Sequence, residues 1–115
     1  MTTVPYVYRL DLVRIVDADT ILFDADMGFK TKRRVMMRLL RINAPEKKGA
    51  TKAAALASEE YLKGLIADRK LIGRTEKSDA FDRYLVELIA VDADGKETNV
   101  NDEMLASGHA VPFRE

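Results

Sequence analysis

The chain has 115 residues, 47% of them hydrophobic and 33% charged, enough for one modest core in a single domain spanning residues 1–115. It has no Cys and one His, His109, which excludes disulfides, thiolate metal sites and most zinc sites. Lys and Arg number 19 and Asp and Glu 19, so the net charge of zero gives no global attraction to nucleic acid, and any basic surface must be local.

The start, Met1-Thr2-Thr3-Val4-Pro5, has no basic segment followed by an apolar one. No signal peptide is expected, and the sequence reads as cytoplasmic or as an intracellular protein of viral origin. No apolar run approaches the length of a membrane span, so no membrane partner is expected.

Tyr8-Arg9-Leu10-Asp11-Leu12 alternates at the period of a half-buried strand, and a bulge is expected where the phase slips at Val13. Asp17-Ala18-Asp19 reads as a turn, Thr20 to Phe23 as the next strand, and Asp26-Met27-Gly28 as a second turn. Val35 to Ile42 is a third apolar run, interrupted by Arg38 and Arg41 and ended by Pro45. Thr51 to Asp68 is predicted helical: Thr51 stands where a cap belongs, and Ala55, Ser58, Leu62, Leu65 and Ile66 share one face. Leu71 to Lys77 and Tyr84 to Val91 follow as strands, with a turn at Asp94-Gly95. A short helix capped by Asn101 then stops at Gly108. The order β-β-β-α-β-β-α is that of a five-stranded OB-fold barrel with helices, an α+β domain of a kind that often binds nucleic acid or sugars. Fold alone does not fix function.

Three clusters could carry chemistry. Asp17-Ala18-Asp19-Thr20 puts two carboxylates in a turn, which suits a hard cation, although Asp also favours turns in its own right. Arg38 interrupts an apolar strand and needs an anionic partner, either a structural carboxylate or a substrate phosphate. Glu46 follows Pro45 at the exit of that strand, where a loop can present it to a groove or leave it in solvent. Arg83 sits before a strand and could clamp a phosphate or pair with Asp79 or Asp82. Lys30, Lys32, Arg33, Arg34 and Arg41, followed by Lys47, Lys48 and Lys52, form a basic set that would attract a phosphate backbone or protect a sheet edge. Asp92-Ala93-Asp94-Gly95 lacks the glycine position of an EF-hand, and Met36, Met37 and Met104 read as core filler.

Taken together, the clusters resemble the signatures of the staphylococcal nuclease family. These are a V-D-x-D-T turn (Val16 to Thr20), an R-L-x-x-I-(D/N)-x-P-E strand exit (Arg38 to Glu46) and a D-x-Y-x-R segment (Asp79 to Arg83). Gly108-His109-Ala110 resembles the family's exit from its last short helix, which makes His109 structural. The resemblance implies a Ca²⁺-dependent nuclease that hydrolyses phosphodiester bonds of DNA or RNA, unpaired by preference, acts as a monomer and leaves 3′-phosphate ends. It implies Asp19, Asn43 and the Ala44 carbonyl as metal ligands, Arg38 and Arg83 on the scissile phosphate, and Glu46 on the attacking water. Phe81, Lys47 and Lys48 would contact substrate. The departures are Asn43 in place of a carboxylate, Phe81 in place of a tyrosine, Ala80 where some members have Lys, and Asp82 where Gly is usual. The family's long C-terminal helix has no counterpart in the sequence, which stops at Glu115. The alternative is a non-catalytic nucleic-acid or protein-binding module on the same fold; such copies would be expected to lose the Arg and Glu positions, which this chain keeps.

Overall fold

The computed structural model of the chain describes residues 6–78 and 83–113. Apolar alternation from Tyr6 builds β1 (Tyr6–Asp17), antiparallel to β2 (Thr20–Asp26). The slip expected at Val13 is a bulge: Leu12 pairs with Phe23, and Arg14 with Leu22. Leu12, next to the bulge, is exposed where simple alternation would have buried it. β2 pairs in turn with β3 (Lys32–Leu39), with Thr20 opposite Arg38.

The run read as Val35 to Ile42 is two elements. β3 ends at Leu39, the chain turns through Leu40 and Arg41, and β4 (Ile42–Asn43) starts a small second sheet. Arg41 takes a φ of +70°, which ordinary residues rarely adopt. Contacts from outside hold this turn. The Leu40 amide donates to the Val86 carbonyl at 2.9 Å, and the Arg41 guanidinium bonds Glu87 and Asp102.

A 3₁₀ turn (Gly49–Thr51) leads into α1 (Lys52–Ile66), which buries Ala55, Ser58, Leu62 and Ile66, with Leu65 at the margin. Thr51 holds the cap position, but its hydroxyl does not cap the helix. It donates to the carbonyls of Glu46 (2.7 Å) and Lys48 (3.1 Å), tying the preceding loop to the helix start. β5 (Lys70–Ser78) and β6 (Tyr84–Val91) complete the barrel; β7 (Glu97–Asn99) extends the sheet beside β6. The strand order is β3-β2-β1-β5-β6-β7, and parallel pairing of Met37, Arg38 and Leu39 with Tyr84, Leu85 and Val86 closes it. Last come α2 (Val100–Ala106) and β8 (Val111–Pro112), the partner of β4. The five-stranded mixed barrel with two helices is the OB-type fold expected from the element order. Its core centres on Ile21, Phe23, Leu39, Ile42, Leu62 and Leu88, and Met104 joins it. Met37 is buried as expected, whereas Met36 lies on the outer face, half-exposed. No helix among the described residues is long and apolar enough to cross a membrane.

Asn101 does not cap α2; that role falls to Asn99, whose side chain accepts from the Asp102 amide. Asn101, the second residue of α2, is fully buried. Its Oδ1 accepts from the Leu88 amide at 2.9 Å, and its Nδ2 donates to the carbonyls of Leu40 (2.9 Å) and Val86 (3.0 Å). One side chain therefore joins α2, β6 and the turn that leads to Asn43. Replacing Asn101 by Ala strips buried backbone groups of their partners, and each such group costs about 1–3 kcal/mol. Urea denaturation of Asn101→Ala is expected to show a loss of about 3 kcal/mol; a loss below about 0.5 kcal/mol would mean that water replaces the amide without penalty.

Candidate active site

The site grows from the β1–β2 turn. Residues 18 and 19 are too few for a loose loop, so the turn is tight and the Asp19 side chain is forced inward, where it is 8% exposed. A carboxylate taken out of water needs donors. Asp19 Oδ1 accepts from the Thr20 hydroxyl at 3.1 Å, and Oδ2 accepts from the Ala44 amide at 2.9 Å. Arg38 Nη2 lies 3.7 Å from Oδ2. The Asp19 backbone carbonyl also accepts from the Leu39 amide at 2.8 Å. This turn thereby fixes the end of β3 and the segment after β4 in one place.

Arg38 is 7% exposed, and Asp19 is the anionic partner that its burial demands. Its Nη2 donates to Asn43 Oδ1 at 2.9 Å, and its Cζ sits 4.7 Å from the centre of the Phe113 ring, a cation–π contact. Phe113 reaches it because β8 pairs with β4, Asn43 opposite Val111, and the Phe113 amide bonds the Arg41 carbonyl at 2.8 Å. No periodicity marks Phe113, and the contact arises only from that long-range pairing. Arg83, half-buried at the start of β6, donates through Nη1 to the Thr20 hydroxyl at 3.4 Å. Thr20 thus links Asp19 to Arg83.

A cavity of about 270 Å³ opens beside this cluster, lined by Asp17, Asp19, Asn43, Ala44, Glu46 and Lys48 among others. Glu46 stands at its rim with an exposed carboxylate, 3.9 Å from Lys48 Nζ. Lys47 lines the same cavity. Its ammonium pairs with Glu59 on α1 at 2.8 Å, lies 3.7 Å from Asp17, and donates to the Val16 carbonyl at 2.6 Å. Glu59 foremost, through its hydrogen bond, holds the Lys47 pKa above the ordinary lysine range. The Lys47 ammonium therefore stays charged at neutral pH, and what its raised pKa contributes to stability is lost as pH rises through that raised value. Asp79, Ala80, Phe81 and Asp82 lie outside the described residues, and with them the expected substrate contact of Phe81 and the possible pairing of Arg83 with Asp79 or Asp82.

The expected basic stripe is largely neutralised. Lys32 pairs with Asp11 at 2.9 Å, Arg34 with Asp24 at 2.9 Å, and Arg41 with Glu87 and Asp102. Hydrogen bonding by Arg34 lowers the pKa of Asp24, so this pair too persists at neutral pH.

The donors around the cavity are carboxylate, amide and carbonyl oxygens, the ligand set of a hard divalent ion such as Ca²⁺ and unsuited to a soft one. No three His, Cys, Asp or Glu side chains among the described residues gather closely enough to hold an ion by themselves, so amide, carbonyl and water oxygens would have to complete the shell.

The OB barrel brings Arg38 and Arg83 to the Asp19–Thr20 turn, beside a cavity lined by hard oxygen donors. The family profile of staphylococcal nuclease homologues matches residues 36–115, most of the chain, and the chain belongs to that family. No curated protein matches the sequence. The profile match starts at Met36, so Asp19 and Thr20 join the site on geometry, through Ala44, Arg38 and Arg83.

If Lys47 clamps the loop that carries Glu46, Lys47→Met and Glu59→Gln will each speed hydrogen exchange of the amides in residues 46–51 by a few fold. The double variant should exchange no faster than either single one. Unchanged exchange in both single variants would show that the Thr51 bonds hold the loop without the ion pair.

Proposed function

We propose that this chain is a Ca²⁺-dependent nuclease that hydrolyses phosphodiester bonds of DNA or RNA, preferring unpaired strands and leaving 3′-phosphate ends. The observation that carries the reading is the convergence of Arg38 and Arg83 on the Asp19–Thr20 turn, with Glu46 at the rim of the adjoining cavity. The non-catalytic alternative is disfavoured because Arg38, Glu46 and Arg83 are all kept.

A phosphodiester resists attack because its own charge repels the nucleophile, and charge builds further as the five-coordinate state forms. Two guanidiniums aimed at the phosphate oxygens offset that charge without reorganising at the moment of reaction. Arg38 is oriented for this in advance by Asn43 Oδ1 and the Phe113 ring, and Arg83 by the Thr20 hydroxyl. Glu46 accepts the proton of the attacking water, the new P–O bond forms, and the bond to the 5′-oxygen breaks. Asp19, Asn43 and the Ala44 carbonyl would hold Ca²⁺, which when bound supplies further charge neutralisation at the phosphate.

The test is cleavage of single-stranded DNA and RNA with Ca²⁺ and with chelator. Arg83→Ala should lower turnover by about a hundred- to a thousandfold while circular dichroism stays unchanged. Arg38→Ala should lose as much, and should also lose about 3–5 kcal/mol of stability, because it leaves the Asp19 carboxylate buried without its cation. Glu46→Gln should turn over slowly yet bind Ca²⁺ within a few fold of the wild type. Cleavage that persists in chelator, or near-normal turnover in folded Arg83→Ala, would sink the reading.

A further inference from the structure

Among the described residues, parallel pairing with β6 covers Met37 to Leu39, and Lys32 to Met36 pair only with β2. Beside this part of β3 lies a second cavity, of about 110 Å³, lined by Tyr8, Met27, Arg33, Val35, Thr75 and Tyr84 among others. The β2–β3 hairpin projects beside it and carries Phe29, a fully exposed ring, at its tip.

This tip is built, not loose. Gly28, Phe29 and Lys30 have φ values of +79°, +55° and +62°, a conformation that non-glycine residues rarely adopt. Hydrogen bonds impose it: Met27 amide to Thr31 carbonyl (2.8 Å), Thr31 amide to Gly28 carbonyl (2.9 Å), and Gly28 amide to Asp26 Oδ1 (2.9 Å). Residues held in sparsely populated conformations concentrate at ligand clamps and other functional sites. Here the side chain at that position is an aromatic ring fully open to solvent.

The charge around the ring selects the partner. Lys32 and Arg34 are spent on Asp11 and Asp24. Lys30 and Arg33 form no ion pair with any described residue, and the nearby Asp26 carboxylate already accepts from Gly28. An aromatic face flanked by two such cations is complementary to a base with its phosphates, and a second copy of the chain would bring like charges together.

We propose that the β2–β3 hairpin is a distal contact for an unpaired nucleic-acid strand, in which Phe29 stacks on a base and Lys30 and Arg33 meet the phosphates. It rests on the nuclease reading for the identity of the strand. β3 runs from this tip to Arg38, so the contact lies about 20 Å from the cleavage site at about 3.3 Å per residue. A strand engaged at both ends would span several nucleotides, within the roughly 4–16 that one OB fold covers.

The experiment is fluorescence anisotropy in chelator with labelled oligothymidylates of about 3 and about 12 nucleotides, read without any need for cleavage. The wild type should bind the longer strand much more tightly. Phe29→Ala should lose about tenfold on the longer strand and nothing on the shorter, while Phe29→Tyr keeps the affinity. Arg33→Ala should lessen the slope of log affinity against log salt by about 0.7. Equal binding of the longer strand by Phe29→Ala and the wild type would overturn the proposal. So would a Phe29→Ala change confined to sedimentation or to vesicle binding, which would make the hairpin a self-association or lipid contact. Cleavage with no Phe29 effect removes only the distal contact, whereas Phe29-dependent binding without any cleavage removes only the nuclease reading.

Discussion

The site is organised around one buried carboxylate. Asp19 is held by the Thr20 hydroxyl and the Ala44 amide, and it stands against the Arg38 guanidinium. None of these contacts is local except the first. A charge removed from water must be compensated wherever the chain can bring donors, and the barrel brings them from the end of β3 and from the segment after β4. The same contacts that make the carboxylate tolerable also aim Arg38 and set the position of Asn43. A deeply buried ion pair is a weak source of net stability, so its use here is better understood as fixing one geometry.

How much of this could be read from the chain depended on whether the cause was local. The bulge at Val13 was legible because a slip of alternation has one cheap structural remedy. The bounds of β6 were legible because Tyr84 to Val91 is unbroken by polar or turn residues except Glu87. Arg38 was legible as a cation in need of an anion, though not that Asp19 and Asn43 share it with a ring. Asn101 and Thr51 misled for the same reason. Each has the residue type and place of a helix cap, yet each found a better partner elsewhere: Leu40 and the β6 backbone for Asn101, the Glu46 loop for Thr51. Likewise, like-charged neighbours along β3 look like a free basic stripe until β1 and β2 supply Asp11 and Asp24 across the sheet.

Two features give the proposed mechanism its particular character. Asn43 stands where the family commonly has a carboxylate, and its amide oxygen already accepts from Arg38. In that mechanism the cation site would be less negative, and Arg38 donates to a neutral amide oxygen while also standing 3.7 Å from the Asp19 carboxylate. Lys47, in turn, is committed to Glu59, Asp17 and the Val16 carbonyl. These contacts tie the short Glu46 loop to α1 and to the end of β1.

Calorimetric titration of Ca²⁺ into the wild type, Asp19→Asn and Asn43→Asp tests the central claim most directly. If Asp19 and Asn43 hold the ion, one unit of charge near it is worth roughly 4 kcal/mol at 4 Å and an effective dielectric of 20, much of it recovered by added water. Affinity should then fall by about tenfold or more in Asp19→Asn and rise by about ten- to thirtyfold in Asn43→Asp, with the fold intact in both. Equal affinity in all three proteins would show that neither residue touches the metal, and the account of this site built on Asp19 would be contradicted.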